Sequence, residues 1–257
     1  MIQKMSNDLP NQFNERLRPD IVKRAALSIK SKNRQSYGAD EDAGLKHVTR
    51  WRQRRRMYRT SKGKGRARTP RKIQVARGMQ LFGDGAKAPN TRGGHRAHAP
   101  TAEKDFSEEI NDKERRKGIR SAIAATTNTD LVSEHHSYDG DLPITTSGLE
   151  TIEKTSELKE ALEDLGLENE LERCSQRKVR AGKGTSRNRK YKTKRGPLLV
   201  VSEDEGVFQA VSNLAGVDVS TVDQLNAEKL SMGARPGRLV VWSENALEKL
   251  EEERLFQ

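Results

Sequence analysis

Between Lys46 and Gly78 the chain carries 14 Lys or Arg and no Asp or Glu. A second stretch, Arg173 to Arg195, carries 11 more and again no acid. Removing these cations from the net charge of +12 leaves −13 for the remainder, so an acidic-to-neutral body carries two basic segments. Neither segment can be buried against the chain's own surface. Blocks of one sign repel themselves and stay extended until a polyanion neutralises them. A nucleic acid backbone is the commonest such partner.

The 257 residues suffice for one medium domain with an appendage, or for two small domains. Only 32% are apolar and 4% aromatic, so part of the chain is expected to lack a core of its own. The single cysteine, Cys174, excludes an intrachain disulfide and suits a reducing compartment. Arg173 and Lys178 are neighbours that lower a thiol pKa, but no triad pattern accompanies Cys174, which reads as a buried, inert thiol. The opening MIQKMSNDLPNQF has no apolar signal core, and LLVV (Leu198 to Val201) is too short to span a bilayer. A soluble, intracellular protein is expected.

Asp20 and the spacing of Ile21, Ala25 and Ile29 predict a helix. YGADEDAG breaks it, and from there to about Lys104 no periodicity recurs. A structureless stretch this long belongs to a functional or disordered segment. With little apolar surface to offset about 1–2 kcal/mol per ordered residue, it is expected to be disordered away from its partner. Asn111 with Glu114 resembles a capping box ahead of a helix that carries Ile119, Ala122 and Ile123. LPITTS, GPLLVVSE, VDVSTV and RLVVWS read as strands. TSELKEALEDLG (capped by Thr155 or Ser156, ended by Gly166), GVFQAVSNLAG and ENALEKLEEERL (capped by Ser243) read as helices. Strands alternating with helices give an α/β fold, a parallel sheet flanked by helices, with a long extended basic loop inserted near the N-terminus. The expected divisions are residues 1–43, the N-terminal segment and first helix of the body; 44–104, the extended loop; and 105–257, the α/β body.

Candidate enzyme chemistry is thin. AGKGTS lacks the earlier glycine of a phosphate-binding loop, whose place Arg177 takes, and no strand leads into it. His95 and His98 flank Arg96, which repels a cation, and His135 and His136 are adjacent; RNA stacking or backbone contact is preferred for these histidines, ahead of solvated loop residues and, last, a metal site. No cofactor or small-molecule substrate is indicated. The basic segments interleave glycine, proline, histidine and aromatics with arginine. Aromatic rings stack on bases, guanidiniums fork onto phosphates, and glycine admits close backbone approach. In the loop the candidate RNA contacts are Arg50, Trp51, Arg52, Arg54, Arg55, Arg56, Tyr58, Arg59, Lys62, Lys64, Arg66, Arg68, Arg71, Lys72, Arg77, Arg92, His95, Arg96 and His98. In the second segment they are Arg180, Lys183, Arg187, Arg189, Lys190, Tyr191, Lys192, Lys194 and Arg195. No DNA-binding helix-turn-helix, zinc-finger or basic-zipper pattern is present, which favours RNA. The rival reading is an RNA-processing or RNA-modifying α/β enzyme.

Several stretches together resemble the universal large-subunit ribosomal protein L-four family, in its archaeal and eukaryotic branch. They are LRPDIVKRAA, NRQSYGADEDAG, GKGRARTPR, GGHRAHAPTAEKD, INDKERRKGIRSAIAAT, KVRAGKGTSRNRKYKTKRGPLLVV, NLAGVDV and PGRLVVWSENAL, spread over nearly the whole chain. The resemblance implies an α/β body whose long loop threads large-subunit RNA and helps line the nascent-peptide exit tunnel, opposite a loop of the L-twenty-two family. It implies a non-catalytic role in early subunit assembly, in cytoplasmic ribosomes, with no membrane partner. Thr69 to Gly85 mixes apolar residues with fewer charges, which suits a tip at Arg71, Lys72, Ile73, Gln74, Val75 and Arg77. Two stretches depart from the family: the start lacks its usual first strand, and KHVTRWRQRRRMYRTSKGKGRAR is richer in arginine than the archaeal pattern.

Overall fold

The computed structural model describes residues 9–50, 56, 63, 65–78, 80–204 and 206–257. The chain divides into two units, Met1–Asn33 with Ser107–Gln257 (the body) and Arg34–Phe106 (the insertion).

The body opens with a 3-10 turn, Asn11–Asn14, and helix α1, Pro19–Lys32; among the described residues no strand precedes them. Proline in the first turn is pre-set for helix. Asp20 at one end and Lys30 and Lys32 at the other complement the helix dipole. The buried face is Val22, Ala25 and Ala26, with Ile21 and Ile29 only half buried, so it lies one residue round from the expected stripe. The insertion then contributes β1 (Thr49–Arg50), β2 (Arg71–Lys72), β3 (Val75–Arg77) and β4 (Gln80–Phe82).

The chain returns to the body as α2, Asp112–Ala125, which packs on α1. A Cβ on Gly118 of α2 would lie 3.1 Å from the Ala25 methyl, so the missing side chain sets how closely the helices approach. Asn111 takes the N-cap position but makes no side-chain cap hydrogen bond, so the expected capping box is not formed. Then come α3 (Thr129–Ser133), β5 (Ile144–Thr146), α4 (Thr155–Asp164), α5 (Glu168–Ser175), β6 (Lys178–Val179) and β7 (Tyr191–Lys192). Thr155 is already helical, and Lys154 precedes it without a side-chain cap bond, which corrects the expected cap. Gly166 follows α4 with φ +80°, the left-handed stop expected of it. The remaining elements are β8 (Leu198–Val201), α6 (Val207–Ser212), β9 (Asp218–Thr221), β10 (Ser231–Met232), β11 (Arg235–Pro236), β12 (Val240–Ser243) and α7 (Glu244–Glu252). Ser243 caps α7 as its sequence position predicts, its Oγ accepting from Ala246 N at 3.1 Å.

Four strands form one parallel sheet in the order β5-β12-β8-β9, as the alternation of strands and helices predicts. Leu198, Val200, Val240 and Trp242 join one buried cluster with residues of α1, α2 and α7. Leu199, Val201, Leu239 and Val241 join the other, with residues of α4 and α6. Successive strand residues point to opposite faces, so continuous runs such as LLVV mean that both faces are covered. Each fully buried Leu or Val contributes about 1.5–3 kcal/mol. Trp242 is fully buried and meets the edge of Phe13 at 5.2 Å between ring centroids and 69° between planes. Among the described residues no helix is long and apolar enough to cross a membrane.

Candidate nucleic-acid interface

The second basic segment folds as a two-stranded antiparallel hairpin, β6 with β7, Lys178 opposite Lys192 and Val179 opposite Tyr191. A hydrogen bond from Arg180 N to Lys190 O, 2.8 Å, continues the pairing by one residue. The two-residue strand period then divides the ribbon. One face carries Lys178, Arg180, Lys190 and Lys192; the other carries Val179 and Tyr191, 64% and 51% exposed. A ribbon with cations on one side and an exposed aromatic on the other suits phosphates and bases at once. Its tip holds AGKGTS, which leads into a single 3-10 turn, Thr185–Arg187, rather than a helix N-terminus. Asn188 turns the chain at φ +58°, a conformation its short polar side chain tolerates. The Thr185 hydroxyl bonds Arg180 O, and Arg189 N donates to Gly184 O at 3.0 Å. Arg180 is spent partly on the turn, its Nε donating to Arg189 O at 3.0 Å. Lys183, Arg187, Arg189, Lys190, Lys192 and Arg195 are exposed, and Lys194 is half buried. The Lys190 ammonium lies 5.5 Å from the Tyr191 ring centre.

In the insertion, β1 pairs with β2, placing Arg50 opposite Arg71 and Thr49 opposite Lys72. β3 and β4 form a second hairpin, turned at Gly78 with φ +50°. Arg71 donates from its guanidinium to Gly83 O at 3.1 Å and Ala67 O at 3.2 Å, tying the chain before β2 to the residue after β4. Gln74 and Asp84 exchange hydrogen bonds of 3.0 and 3.1 Å. Ile73, Val75 and Arg77 are exposed. Arg56, Arg66, Arg68, Arg92, Arg96 and His98 are also exposed. Trp51, Arg52, Arg54, Arg55, Tyr58, Arg59, Lys62 and Lys64 lie outside the described residues.

Composition predicts no order of its own for the insertion, yet its described residues are tied together, by backbone hydrogen bonds rather than by an apolar core. Ala39 N donates to Pro100 O at 2.8 Å, Lys72 N to Asp84 O at 2.9 Å and Ala86 N to Pro70 O at 2.7 Å. Gly44 crosses Gly94 so closely that a Cβ on it would stand 2.5 Å from the Gly94 carbonyl. His95 is half buried, with its Nδ1 3.1 Å from Ala43 O. It therefore braces this crossing as well as being a candidate RNA contact.

One feature carried no sequence signal. Tyr37 and Phe106 stack at 5.3 Å and 14°, with the Arg34 guanidinium 5.2 Å and 4.6 Å from their ring centres. These residues close the two ends of the insertion. They are remote in sequence, and no local pattern announces such a pair.

Not every conspicuous residue belongs to the interface. His136 is buried and bonds Glu170 through Nδ1, so it is a structural histidine rather than an RNA contact. Burial holds its pKa below the ordinary value, against the pull of Glu170. Burial alone would raise the Glu170 carboxyl, but hydrogen bonds from Arg173, His136 and the Ser137 amide bring it down to about 2. His136 is thus the neutral partner and Arg173 supplies the positive charge. Cys174 sits beside this group, where burial and the Glu170 charge push its thiol up to about 11, outweighing the opposite pull of Arg173. At the carboxyl end of the sheet, where open α/β folds take ligands, the crevice is filled from within. Glu150 accepts there from Ser202 N (2.7 Å), Ser202 Oγ (3.0 Å), Ser243 Oγ (2.6 Å) and Asn245 Nδ2 (2.8 Å).

A family model described as "Ribosomal protein L4/L1 family" matches residues 8–253. The chain is 47% identical to the large ribosomal subunit protein uL4 of Nanoarchaeum equitans, over 97% of this chain and 94% of that protein. It is 42% identical to the protein of that name from Halobacterium salinarum, over 95% and 92%, and 40% identical to that of Archaeoglobus fulgidus, over 95% and 92%. A sheet covered on both faces, an inserted basic unit and a basic ribbon are thus found in a chain that belongs to the ribosomal protein L4/L1 family.

Proposed function

We propose that this chain is a structural constituent of the large ribosomal subunit, in the cytoplasm, that holds large-subunit RNA through its two basic segments. The observation that carries the reading is like-charge pairing. Arg50 faces Arg71 and Lys178 faces Lys192 directly across two-stranded ladders. Like charges so placed destabilise a ladder, and among the described residues none of the four side chains bonds a carboxylate. A polyanion lying along these ladders reverses the sign of that term. The relatives named above are large-subunit proteins, which supports this reading over the RNA-processing enzyme. Glu150, seated in the sheet's carboxyl-end crevice, favours a non-catalytic body.

Sedimentation tests the proposal. The protein is expected to travel with the large subunit through moderate salt; a protein found mostly free would overturn it. In RNA binding, replacing Arg187, Arg189 and Lys190 with Ala should lower the salt slope by about 0.7–0.9 for each phosphate no longer neutralised.

We further infer that the insertion lines the nascent-peptide tunnel beside the L-twenty-two family, with its tip in the exposed Ile73 to Arg77 part of the expected segment; Arg71 and Lys72 pair with Arg50 and Thr49 in β2 and sit at its root instead. Exposed Ile73, just ahead of the short β3–β4 hairpin, and exposed Val75 at its first position support this. Deleting Ile73 to Gly78 should spare assembly and alter the response to stalling peptides. Deleting Arg50 to Arg56, which removes phosphate anchors, should impair assembly. The reverse pattern would exchange tip and anchor.

A further inference from the structure

At the root of the β6–β7 ribbon lies a cleft of about 370 Å³. Its walls include Arg173, Lys178, Lys192, Lys194 and Arg195 and, opposing them, the single carboxylate of Glu134. Two of the five cations are already answered. Arg173 is bound by Glu170, and Arg195 Nε lies 3.2 Å from Asp218. The three lysines form no ion pair among the described residues. Lys178 and Lys192 are moreover directly opposed in the ladder. Lys194, two residues beyond the end of β7, lines the same cleft.

This arrangement costs the free protein stability. Three lysines line one concavity, with one carboxylate among the lining residues. Local choices that work against the fold mark functional positions more often than accidents. We propose that the cleft is a seat for a single phosphate group of the RNA backbone. Lys178 and Lys192 grip it from the two strands and Lys194 from the chain beyond, with the bonded Arg173 and Arg195 as fixed positive walls. The proposal rests on the RNA-binding reading above and adds a defined subsite to it. The cleft, rather than the exposed tip, is the point that fixes where the ribbon sits on the RNA, because a concave site constrains its ligand in three dimensions where exposed arginines constrain it only loosely.

The opposed lysines make the test specific, since stability and binding must move in opposite directions. Full-length Lys192→Glu should unfold at a higher urea concentration than wild type, because it turns a like-charge pair into an attractive one. The same variant should bind a large-subunit RNA transcript roughly tenfold more weakly, the loss expected for a charge-assisted hydrogen bond. Lys178→Ala is a second variant that introduces no new charge; it should be at least as stable as wild type and weaker on RNA. Inorganic phosphate titrated into the RNA-free protein separates free anion from RNA backbone. It should stabilise wild type more than Lys192→Glu, but only at millimolar concentration. Unchanged RNA affinity in both variants, with the Arg187/Arg189/Lys190 variant still weakened, would overturn the cleft and leave the RNA-binding reading standing. Loss of RNA binding in none of them would remove both. Lower stability in both lysine variants would make the lysines structural and also overturn the proposal.

Discussion

The Ser243 hydroxyl donates to Glu150 at 2.6 Å while accepting from Ala246 N at 3.1 Å, so one side chain caps α7 and anchors a buried carboxylate. Glu150 gathers donors from β12, from the turn after β8 and from the start of α7. Glu150→Gln should destabilise the body by about 2 kcal/mol, because an amide NH2 then faces groups that themselves donate. Ser243→Ala loses the cap and should cost about 1–2 kcal/mol. Urea unfolding of the two single variants and the double variant measures the coupling: the double should cost less than the sum.

Acid stability should depend on Glu170. Its carboxyl titrates at about 2 in the fold against an ordinary 4.5, so its contribution is complete above about pH 4.5 and is lost as pH falls towards 2. His136 acts in the same direction. Its pKa is held below 6.5 by burial, so the unfolded chain takes up that proton first and stability begins to fall below that pH. Glu170→Gln should cost about 3 kcal/mol at pH 7, the scale for a buried pair that loses one partner. Its deficit against wild type should shrink as the pH is lowered through 4.5 towards 2. A deficit independent of pH would contradict the assignment.

Two adjacent glycines in the insertion should differ sharply. A Cβ on Gly94 would stand 1.9 Å from Ala88 O, whereas one on Gly93 meets nothing within 4 Å and only pays the strain of φ +68°. Gly94→Ala should therefore open the turn closed by Gly94 N to Thr91 O and His95 N to Lys87 O. Gly93→Ala should cost about 1–2 kcal/mol locally and keep the turn. Amide exchange at residues 94 and 95 reads the difference, and body unfolding should be unchanged in both.

Tyr191 stands on the uncharged face of the basic ribbon. If RNA bases stack there, Tyr191→Ala should weaken binding roughly tenfold or more, on the scale of 1–3 kcal/mol per stacked base. The salt slope should stay constant, because no cation is removed. Tyr191→Phe should retain affinity. A changed slope in Tyr191→Ala would mean that the ring acts by positioning Lys190, 5.5 Å from it, rather than by stacking.

The body is legible in the sequence because its signals are local. LLVV and VVWS suit only strands covered on both faces, and Ser243 and Gly166 punctuate their helices where caps belong. Capping fails at Asn111 and Thr155, where the residue type is right but the side chain makes no bond to the helix. α5 escapes notice because its eight residues follow Gly166 almost at once and present few apolar positions. The hairpin formed by Lys178 and Lys192 reads only as a loop, since its strands are two residues each and carry no alternating apolar pattern. Charge marks the candidate interface, but charge has no period and so cannot reveal register. The Tyr37–Phe106 stack and the fate of His136 depend on partners distant in sequence.

The body also brings together the two points where its chain is interrupted. Ser28 Oγ donates to Glu108 O at 2.6 Å, and Glu108 N donates to Ser31 Oγ at 2.8 Å. α1 and α2 thus carry their own clasp, and closing a loop between clasped ends costs only logarithmically more as the loop grows, about 0.6 kcal/mol per doubling. The body accordingly places almost no limit on what is strung between Asn33 and Ser107. The intervening length is free to be set by whatever the insertion must reach, and a short glycine–serine bridge in its place should still yield a folded domain.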